Sequence, residues 1–190
     1  MINKKISTGA VAAALLMTSN AVAVQPGWVY ACIQYASFGA TVLDLPMDLS
    51  PTGLIGRLGS NIDENFSVEG RLGLGLSDDT ITATDGIDTA SISLELDTLI
   101  GVYGLGHLML NESSSIYALI GFTKVDGTVS ASLTGFGSGS ASEDETGLSY
   151  GIGADIGVGN NVSLNIEYAQ YINKSDFEIS ALSACVKFGF

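Results

Sequence analysis

Beyond residue 23 the chain is built from short runs in which apolar and polar side chains alternate one by one. A repeat of two residues predicts β-strands, because successive side chains of a strand point to opposite faces of a sheet. The clearest run covers residues 162–172, where one face carries Val162, Leu164, Ile166, Tyr168 and Ile172. We predict about eight such strands, at residues 28–37, 54–62, 66–76, 94–110, 116–125, 150–158, 162–172 and 178–190.

The connections between these runs alternate between short and long. Three connections are predicted to be short turns, at residues 63–65, 111–115 and 159–161. Three others are long and rich in Gly, Ser, Thr and acidic residues, at 38–53, 77–93 and 126–147. The connection at 173–176 is brief. Short turns on one side and long loops on the other are typical of bacterial outer-membrane barrels. The pattern predicts an all-β fold: an eight-stranded antiparallel up-and-down transmembrane β-barrel with both termini on the periplasmic side. We expect the long loops, 126–147 above all, to carry any recognition and to tolerate change.

A soluble eight-stranded barrel is the main alternative, and the charged residues argue against it. A soluble barrel turns its apolar side chains inward, but six charged residues lie opposite the apolar stripe of their own strand: Arg57, Glu69, Arg71, Asp155, Glu167 and Lys187. An apolar stripe free of charge suits a lipid-facing surface, where a Lys or Arg at mid-membrane costs about 2–4 kcal/mol. We therefore expect a lumen charge network in which Arg57 and Arg71 pair with Asp155, Glu167 or Glu95.

The first 23 residues have the features of a secretory signal peptide. Lys4 and Lys5 precede the apolar residues 10–17, and Ala21-Val22-Ala23 provides a small-x-small cleavage site. A membrane anchor helix is the alternative, but Thr18, Ser19 and Asn20 interrupt the apolar run before it reaches spanning length. We predict a signal peptide at 1–23, a barrel domain at 24–190, and export to the cell outer membrane.

The two cysteines, Cys32 and Cys185, lie on the inward faces of the first and last predicted strands. These strands must meet to close a barrel, and if Trp28 lies opposite Phe190 the register brings the cysteines close together. The periplasm permits disulfides. We expect contact between the two residues, and the sequence leaves their bonding open.

Residues that could carry catalysis or bind a metal are sparse. The single His107 has no Ser two positions beyond it, no Cys-x-x-Cys is present, and the acidic groups at Asp78-Asp79, Asp85, Asp88 and 143–145 match no EF-hand spacing. Gly151 and Gly153 lack the helix of a phosphate loop, and their inward positions suggest room for bulky neighbours. With a net charge of −13, nucleic acid is an unsuitable partner. We predict no catalytic residues, no metal and no cofactor.

The C-terminal residues Val186-Lys187-Phe188-Gly189-Phe190 resemble the assembly signal of outer-membrane β-barrels, in which alternating apolar residues end in Phe. With residues 66–73, 150–154 and 164–168, the chain resembles the OmpA-like and opacity-protein-like family of outer-membrane barrels. The resemblance implies that Val186, Phe188 and Phe190 are read by the barrel-assembly machinery. We also expect contact with outer-membrane lipid and lipopolysaccharide, and a monomer.

Two functions fit these features. One is a structural or surface-interaction role through the acidic extracellular loops, without enzyme activity. The alternative is a narrow channel for small solutes or ions. Because side chains nearly fill the interior of an eight-stranded barrel, we expect the first.

Overall fold

The computed structural model describes residues 26–42, 51–84, 89–174 and 177–190. Within these ranges no helix is long and apolar enough to cross a membrane. The predicted signal peptide and residues 43–50 of the first long loop lie outside the described residues. The strands are β1 (Val29–Val42), β2 (Thr52–Asn61), β3 (Phe66–Ser77), β4 (Asp79–Thr84), β5 (Thr89–Asn111), β6 (Ser114–Leu133), β7 (Gly137–Gly159), β8 (Val162–Lys174) and β9 (Phe177–Gly189).

Eight of these strands form the predicted closed antiparallel barrel. Each pairs with its neighbour in the order β1-β2-β3-β5-β6-β7-β8-β9, and β9 pairs back with β1 over thirteen residue pairs. At the closing seam, Val29 and Phe190 exchange two backbone hydrogen bonds of 3.2 and 2.8 Å. Strand β4 is one additional strand, which pairs with the start of β5 beyond the ring.

The short turns are stabilised by polar side chains that cap the backbone. The Oδ1 atom of Asp63 accepts hydrogen bonds from the backbone N–H groups of Asn65 and Phe66, at 2.7 and 2.8 Å. Asn111 accepts from the N–H of Ser113 in the same way, at 2.9 Å. Such Asx turns reverse the chain within a few residues, and so they fix the register of the flanking strands.

The alternation of the sequence separates a lipid-facing exterior from a packed interior. Large apolar side chains such as Ile33, Val102 and Ile152 are 66–70% exposed on the outer surface. Val186, Phe188 and Phe190 also face outward near the seam. The outer surface therefore has the character required for contact with hydrocarbon.

Two of the predicted long loops are β-structure, which corrects the sequence analysis. Residues 126–133 and 137–147 continue β6 and β7 and are paired up to Leu133 opposite Gly137, while β4 pairs with the start of β5. We call the sheet formed by β4, 89–97 of β5, 126–133 of β6 and 137–144 of β7 the projecting sheet. Its Ser- and Gly-rich composition suggested loops, but hydrogen bonds to neighbouring strands make it regular.

A β-bulge at Asp97 reverses the alternation of β5. Pairing with β6 shifts between Leu96 and Thr98, so Leu96 is buried whereas Glu95 and Asp97 are exposed. An extra residue in one strand has this effect on the side chains that follow it. Glu95 therefore lies on the outer surface, and its expected place in the lumen charge network is wrong.

The outer face of β6 and β7 changes character at the upper rim of the barrel. On β6, Ile120 and Phe122 are exposed and apolar, and the next outward residues are Lys124, Asp126 and Thr128. The opposite face remains apolar through Val125 and Val129. We call these the outer and inner faces of the projecting sheet. The exposed apolar surface of these strands therefore ends between Phe122 and Lys124, where a lipid-facing surface would meet water.

Candidate functional site

The six charged residues singled out in the sequence are all buried inside the barrel: Arg57, Glu69, Arg71, Asp155, Glu167 and Lys187. They come from five strands, each of which turns its charged side chain inward by the two-residue alternation. The lumen therefore holds three cations and three anions.

The two arginines form one cluster with two glutamates. Arg57 and Arg71 lie opposite each other on β2 and β3. Glu69 accepts hydrogen bonds from Arg57 Nε and Nη2 at 2.9 and 2.8 Å, and from Arg71 Nε at 2.5 Å. Glu167 reaches across from β8 to accept from Arg71 Nη2 at 2.8 Å, and its Oε2 lies 3.4 Å from Arg57 Nη2. Each arginine thus contacts both glutamates, and this sharing offsets the cost of burying four charges.

Asp155 pairs differently from the sequence prediction. It accepts from Lys187 Nζ at 2.5 Å and from Asn165 Nδ2 at 2.8 Å. Of the three acids expected to pair with the arginines, Glu167 alone does so among the ion pairs of the described residues. Lys187 lies on β9, next to the seam, and so it reaches Asp155 on β7 across β8.

Neutral side chains complete the network, and none of them was among the site residues predicted from the sequence. Tyr30 donates to Glu69 Oε2 at 2.9 Å, and Tyr117 donates to Glu167 Oε2 at 2.7 Å. Asn165 and Tyr171 accept from Arg57 and Arg71 at 2.8 and 3.0 Å. The four residues are inward-facing like the charged ones, and this shared position was the signal that could have identified them.

Tyrosine rings lie flat against the barrel wall where the facing residue is glycine. A Cβ atom at Gly59 would overlap the Tyr30 ring, and one at Gly153 would overlap the Tyr117 ring. Tyr103 occupies the space beside Gly121 in the same way. The room expected above the inward Gly153 is thus taken by an aromatic side chain, and the rings leave the centre of the lumen to the guanidinium groups.

An apolar layer fills the lumen between the charge network and the projecting sheet. Its side chains are at most 6% exposed and come from six strands: Phe38, Ile55, Leu96, Leu99, Val125, Ile172 and Ile179. In the sequence, Leu99 shares the two-residue phase of Glu95 and Asp97, and an apolar residue in that phase was the signal for this layer. Together with the ion cluster, this layer adds a second set of buried side chains to the lumen.

Cys32 and Cys185 form a disulfide across the seam, with Cα atoms 6.2 Å apart. They are diagonal neighbours: Cys32 lies opposite Lys187, and Cys185 lies opposite Gln34. Both sulfur-bearing side chains point into the lumen and are less than 10% exposed. The disulfide therefore joins the first and last strands of the barrel from the inside.

His107 contacts a serine that the sequence analysis did not connect with it. Its Nε2 atom lies 2.8 Å from Ser67 Oγ on the neighbouring β3. Its Nδ1 atom has no hydrogen-bond partner in the described part of the structure, so the carboxylate that orients the histidine of a hydrolase is missing there. Ser67 is also buried. The arrangement lacks the geometry of an activated nucleophile.

The acidic residues weighed in the sequence as possible cation ligands are described only in part. No group of three or more His, Cys, Asp or Glu residues in these ranges could hold a metal ion. Asp85 and Asp88 lie outside them. Of the acidic group at 143–145, Asp144 lies 3.2 Å from Lys124, and Glu145 is paired with Lys174.

The outer rim carries a separate, solvated set of charges. Lys124 lies 3.4 Å from Asp126 as well as near Asp144, and the hydrogen bond with Asp144 raises the lysine pKa above its usual value. Thr98 donates to Asp126 at 2.7 Å, which lowers the pKa of that carboxyl. These pairs are exposed, so they contribute little to stability.

Comparison with known proteins identifies the architecture. The family model for the outer membrane protein beta-barrel domain matches residues 8–190. The structure of Ail, the attachment invasion locus protein of Yersinia pestis, in complex with the heparin analogue sucrose octasulfate, is similar, with a TM-score of 0.61 and 18% identity over 87% of this chain and 100% of that chain. Neisserial surface protein A has a TM-score of 0.53 and 19% identity, over 86% of this chain and 99% of that chain. OprG of Pseudomonas aeruginosa has a TM-score of 0.51 and 11% identity, over 90% of this chain and 98% of that chain.

At these identities the solved structures show the fold alone. No curated protein matches the chain in sequence. The family model, however, covers almost the whole length of the chain. The chain belongs to the outer membrane protein beta-barrel domain family.

Proposed function

We propose that this protein is a surface-interaction barrel that resides in the outer membrane, binds extracellular polypeptide through its projecting sheet, and neither conducts solutes nor catalyses a reaction. The observation that carries the proposal is exposed apolar surface beyond the membrane boundary. Phe136, in the turn between β6 and β7, is 84% exposed, and Leu133 and Val129 on the inner face are about half as exposed. Apolar surface in an aqueous position marks an interaction site.

The charges of the projecting sheet favour a cationic partner. Glu143 and Glu145 lie on the inner face, opposite Gly127 and Val125, and Asp97, Asp126 and Asp144 lie at the rim. Lys124 and Lys174 are the basic residues on this side of the described chain, and both are paired with carboxylates. Ail was solved with a heparin analogue, but the acidity of this chain disfavours such a polyanion.

An unpaired strand edge offers a way to bind an extended polypeptide. Residues 137–144 of β7 pair with β6, whereas the pairing of β7 with β8 begins only at Tyr150. The other edge of this segment is without a strand partner among the described residues. An extended segment can add to such an edge through backbone hydrogen bonds, with its apolar side chains on the inner face and its alternating basic side chains on the outer face, which carries Asp126 and Asp144.

The test uses the full barrel in phospholipid nanodiscs and two twelve-residue peptides, one alternating Val with Lys and the other Val with Glu. We expect saturable binding of the Val–Lys peptide, and about tenfold weaker binding, equivalent to ~1.4 kcal/mol, when Val129, Leu133 and Phe136 are replaced by Ser. The matched control, Ser130→Ala with Ser140→Ala on the outer face, should bind like the wild type. Equal binding of both peptides, or an unchanged triple variant, would contradict the proposal.

The packing of side chains in the lumen disfavours the narrow-channel function. The ion cluster and the apolar layer lie one above the other, and both consist of buried side chains contributed by facing strands. In planar bilayers we expect no resolved conductance steps from the purified protein. Reproducible unit conductance that changes with Arg71→Ala would favour the channel instead.

A further inference from the structure

The disulfide is the middle one of three contacts that are stacked along the barrel seam. In the register of β1 and β9, each contact joins a residue to its diagonal neighbour on the facing strand. Towards the end of the barrel that holds the short turns, Lys187 Nζ lies 4.6 Å from the centre of the Tyr30 ring. Towards the other end, Gln34 Nε2 donates to Ser183 Oγ. The disulfide therefore has one side-chain contact directly above it and another directly below it.

A further contact spans the lumen in front of the disulfide. Arg57 on β2 lies opposite Cys32, and Asn165 on β8 lies opposite Cys185. Arg57 Nη1 donates to Asn165 Oδ1 at 2.8 Å, so this hydrogen bond runs from the neighbour of one cysteine to the neighbour of the other. The two cysteines and the six residues that surround them are all at most 8% exposed. The sulfur atoms are thus enclosed by side chains, with the barrel wall behind them.

A disulfide in this position is out of reach of a protein oxidant once the barrel has closed. A cysteine thiolate attacks the disulfide of the oxidant, and the reaction passes through a mixed disulfide that joins the two molecules. The active site of a protein oxidant must therefore surround the cysteine and the backbone next to it. In the closed barrel the backbone around Cys32 is paired with β2 and β9, and that around Cys185 is paired with β1 and β8. Neither cysteine can enter such an active site while the seam is paired.

We propose that a protein dithiol oxidase joins Cys32 to Cys185 before β1 and β9 pair, so that the chain enters barrel assembly as a covalent ring. The thiolate of one cysteine attacks the disulfide of the oxidase and releases one oxidase thiolate. The thiolate of the other cysteine then attacks the first cysteine's sulfur in the mixed disulfide, which completes the bond and releases the second oxidase thiolate. The two thiol protons pass through water to the oxidase, which leaves as a dithiol carrying the two electrons.

The cysteine content and spacing of the chain suit oxidation before folding. The sequence contains two cysteines, so the unfolded chain has one possible intramolecular disulfide and cannot form a wrong one. The two residues are 153 positions apart, and bringing the ends of so long a loop together costs conformational entropy. Early oxidation completes this step before strand pairing begins. The inference goes beyond the proposed function, because it concerns the seam and needs neither the projecting sheet nor a polypeptide ligand.

The first test measures how fast a purified dithiol oxidase oxidises the reduced protein in two states, unfolded in urea and folded in phospholipid nanodiscs. Acid quenching followed by alkylation with a polyethylene glycol maleimide counts the remaining thiols on a gel. The matched control carries Cys32→Ser and Cys185→Ser together with Thr80→Cys and Ser93→Cys. These last two positions lie on the outer face of the projecting sheet, where the native hydroxyls are 2.8 Å apart, so the control presents its thiols to the oxidase in the folded state.

The quantity compared is the ratio of the folded-state rate to the unfolded-state rate. Because thiol reactivity requires access, we expect this ratio to be lower for the wild type than for the control by about a hundredfold or more. The control removes any effect of urea or of the nanodisc on the oxidase itself. A difference of less than about tenfold would overturn the proposal, since the bond could then form after closure.

The second test follows newly made wild-type protein in cells by pulse labelling, with free thiols alkylated at each time point. We expect the disulfide-bonded species to appear before the folded barrel, which is identified by its heat-dependent mobility on gels. A folded barrel that is first reduced and is oxidised later would overturn the proposal. Peptide binding is measured separately on the folded, oxidised protein, so failure here and failure of the polypeptide-binding proposal are distinct results.

Discussion

Removing the disulfide should lower the stability of the barrel by a few kcal/mol without changing its architecture. The bond joins residues 153 positions apart, so in the unfolded chain it closes a loop that contains nearly the whole domain. Replacing both Cys32 and Cys185 with Ser frees that loop. The folded state loses little, because the β1–β9 backbone pairing persists over thirteen residue pairs.

The magnitude follows from loop-closure entropy. For the separation of 153, the relation ΔS ≈ −2.1 − 1.5R ln n gives about 5 kcal/mol at 25 °C. This is an upper value, and native disulfides typically contribute about 2–5 kcal/mol. We therefore expect the double variant to be at least ~2 kcal/mol less stable than the oxidised wild type.

Urea unfolding in detergent micelles measures the difference, with the fluorescence of the single Trp28 as the signal. Wild-type protein refolded under reductant is the matched control, because it lacks the bond but keeps both sulfur atoms, and it should unfold with the double variant. Oxidised wild type should also run faster than the variant on a non-reducing denaturing gel. A stability difference below ~1 kcal/mol would refute the entropic argument.

Three further predictions concern assembly and charge. Phe190→Ser should be exported and processed after Ala23 but accumulate unfolded in the periplasm; fractionation with a heat-shift gel tests this, and wild-type amounts of folded barrel would show that Phe190 is not the signal. Glu167→Ala leaves two arginines sharing Glu69, and it should lower the free energy of unfolding by about 3–5 kcal/mol. Asp144→Asn is the control and should leave stability unchanged. A loss under ~1 kcal/mol for Glu167→Ala would contradict the role of the cluster. Thr98→Val removes the hydrogen bond that lowers the Asp126 pKa, so NMR titration should show that pKa rising towards 3.8. Because the wild-type carboxyl has the depressed pKa, any stability gained from it is present above pH 3.8 and is lost as the pH falls through the folded-state value; an unshifted Asp126 would exclude Thr98 as the cause.

The transmembrane strands could be predicted because one face contacts lipid and the other does not. That contrast makes residues such as Ile166 and Glu167 alternate in polarity, and the two-residue repeat is then visible in the sequence. The projecting sheet escaped prediction because Gly, Ser and acidic residues are also the composition of loops. Its alternation was nevertheless present, from Thr128 to Leu133, with the apolar residues now on the inner face.

The charged residues of the lumen could be predicted from the sequence, whereas its neutral residues were not identified. Arg57 and Glu167 were found because a charge opposite a lipid-facing stripe has no place but the interior. Tyr117 and Leu99 were missed, since a tyrosine or a leucine is acceptable on either face of a strand. Which acid pairs with which base depends on the β2–β8 and β7–β9 distances across the lumen, and these are set by barrel closure and not by local sequence.

The disulfide also determines how the protein responds to mechanical force. A pull applied between the two ends of the chain passes from β1 to β9 through Cys32 and Cys185, so only the short segments outside the bond can be drawn out. The chain between the two cysteines, which are 153 positions apart, would extend about 540 Å at ~3.5 Å per residue. Because the bond carries the force, this enclosed chain does not. Extraction from the membrane by its ends must therefore move the barrel as one body, whereas the reduced protein can be unzipped strand by strand.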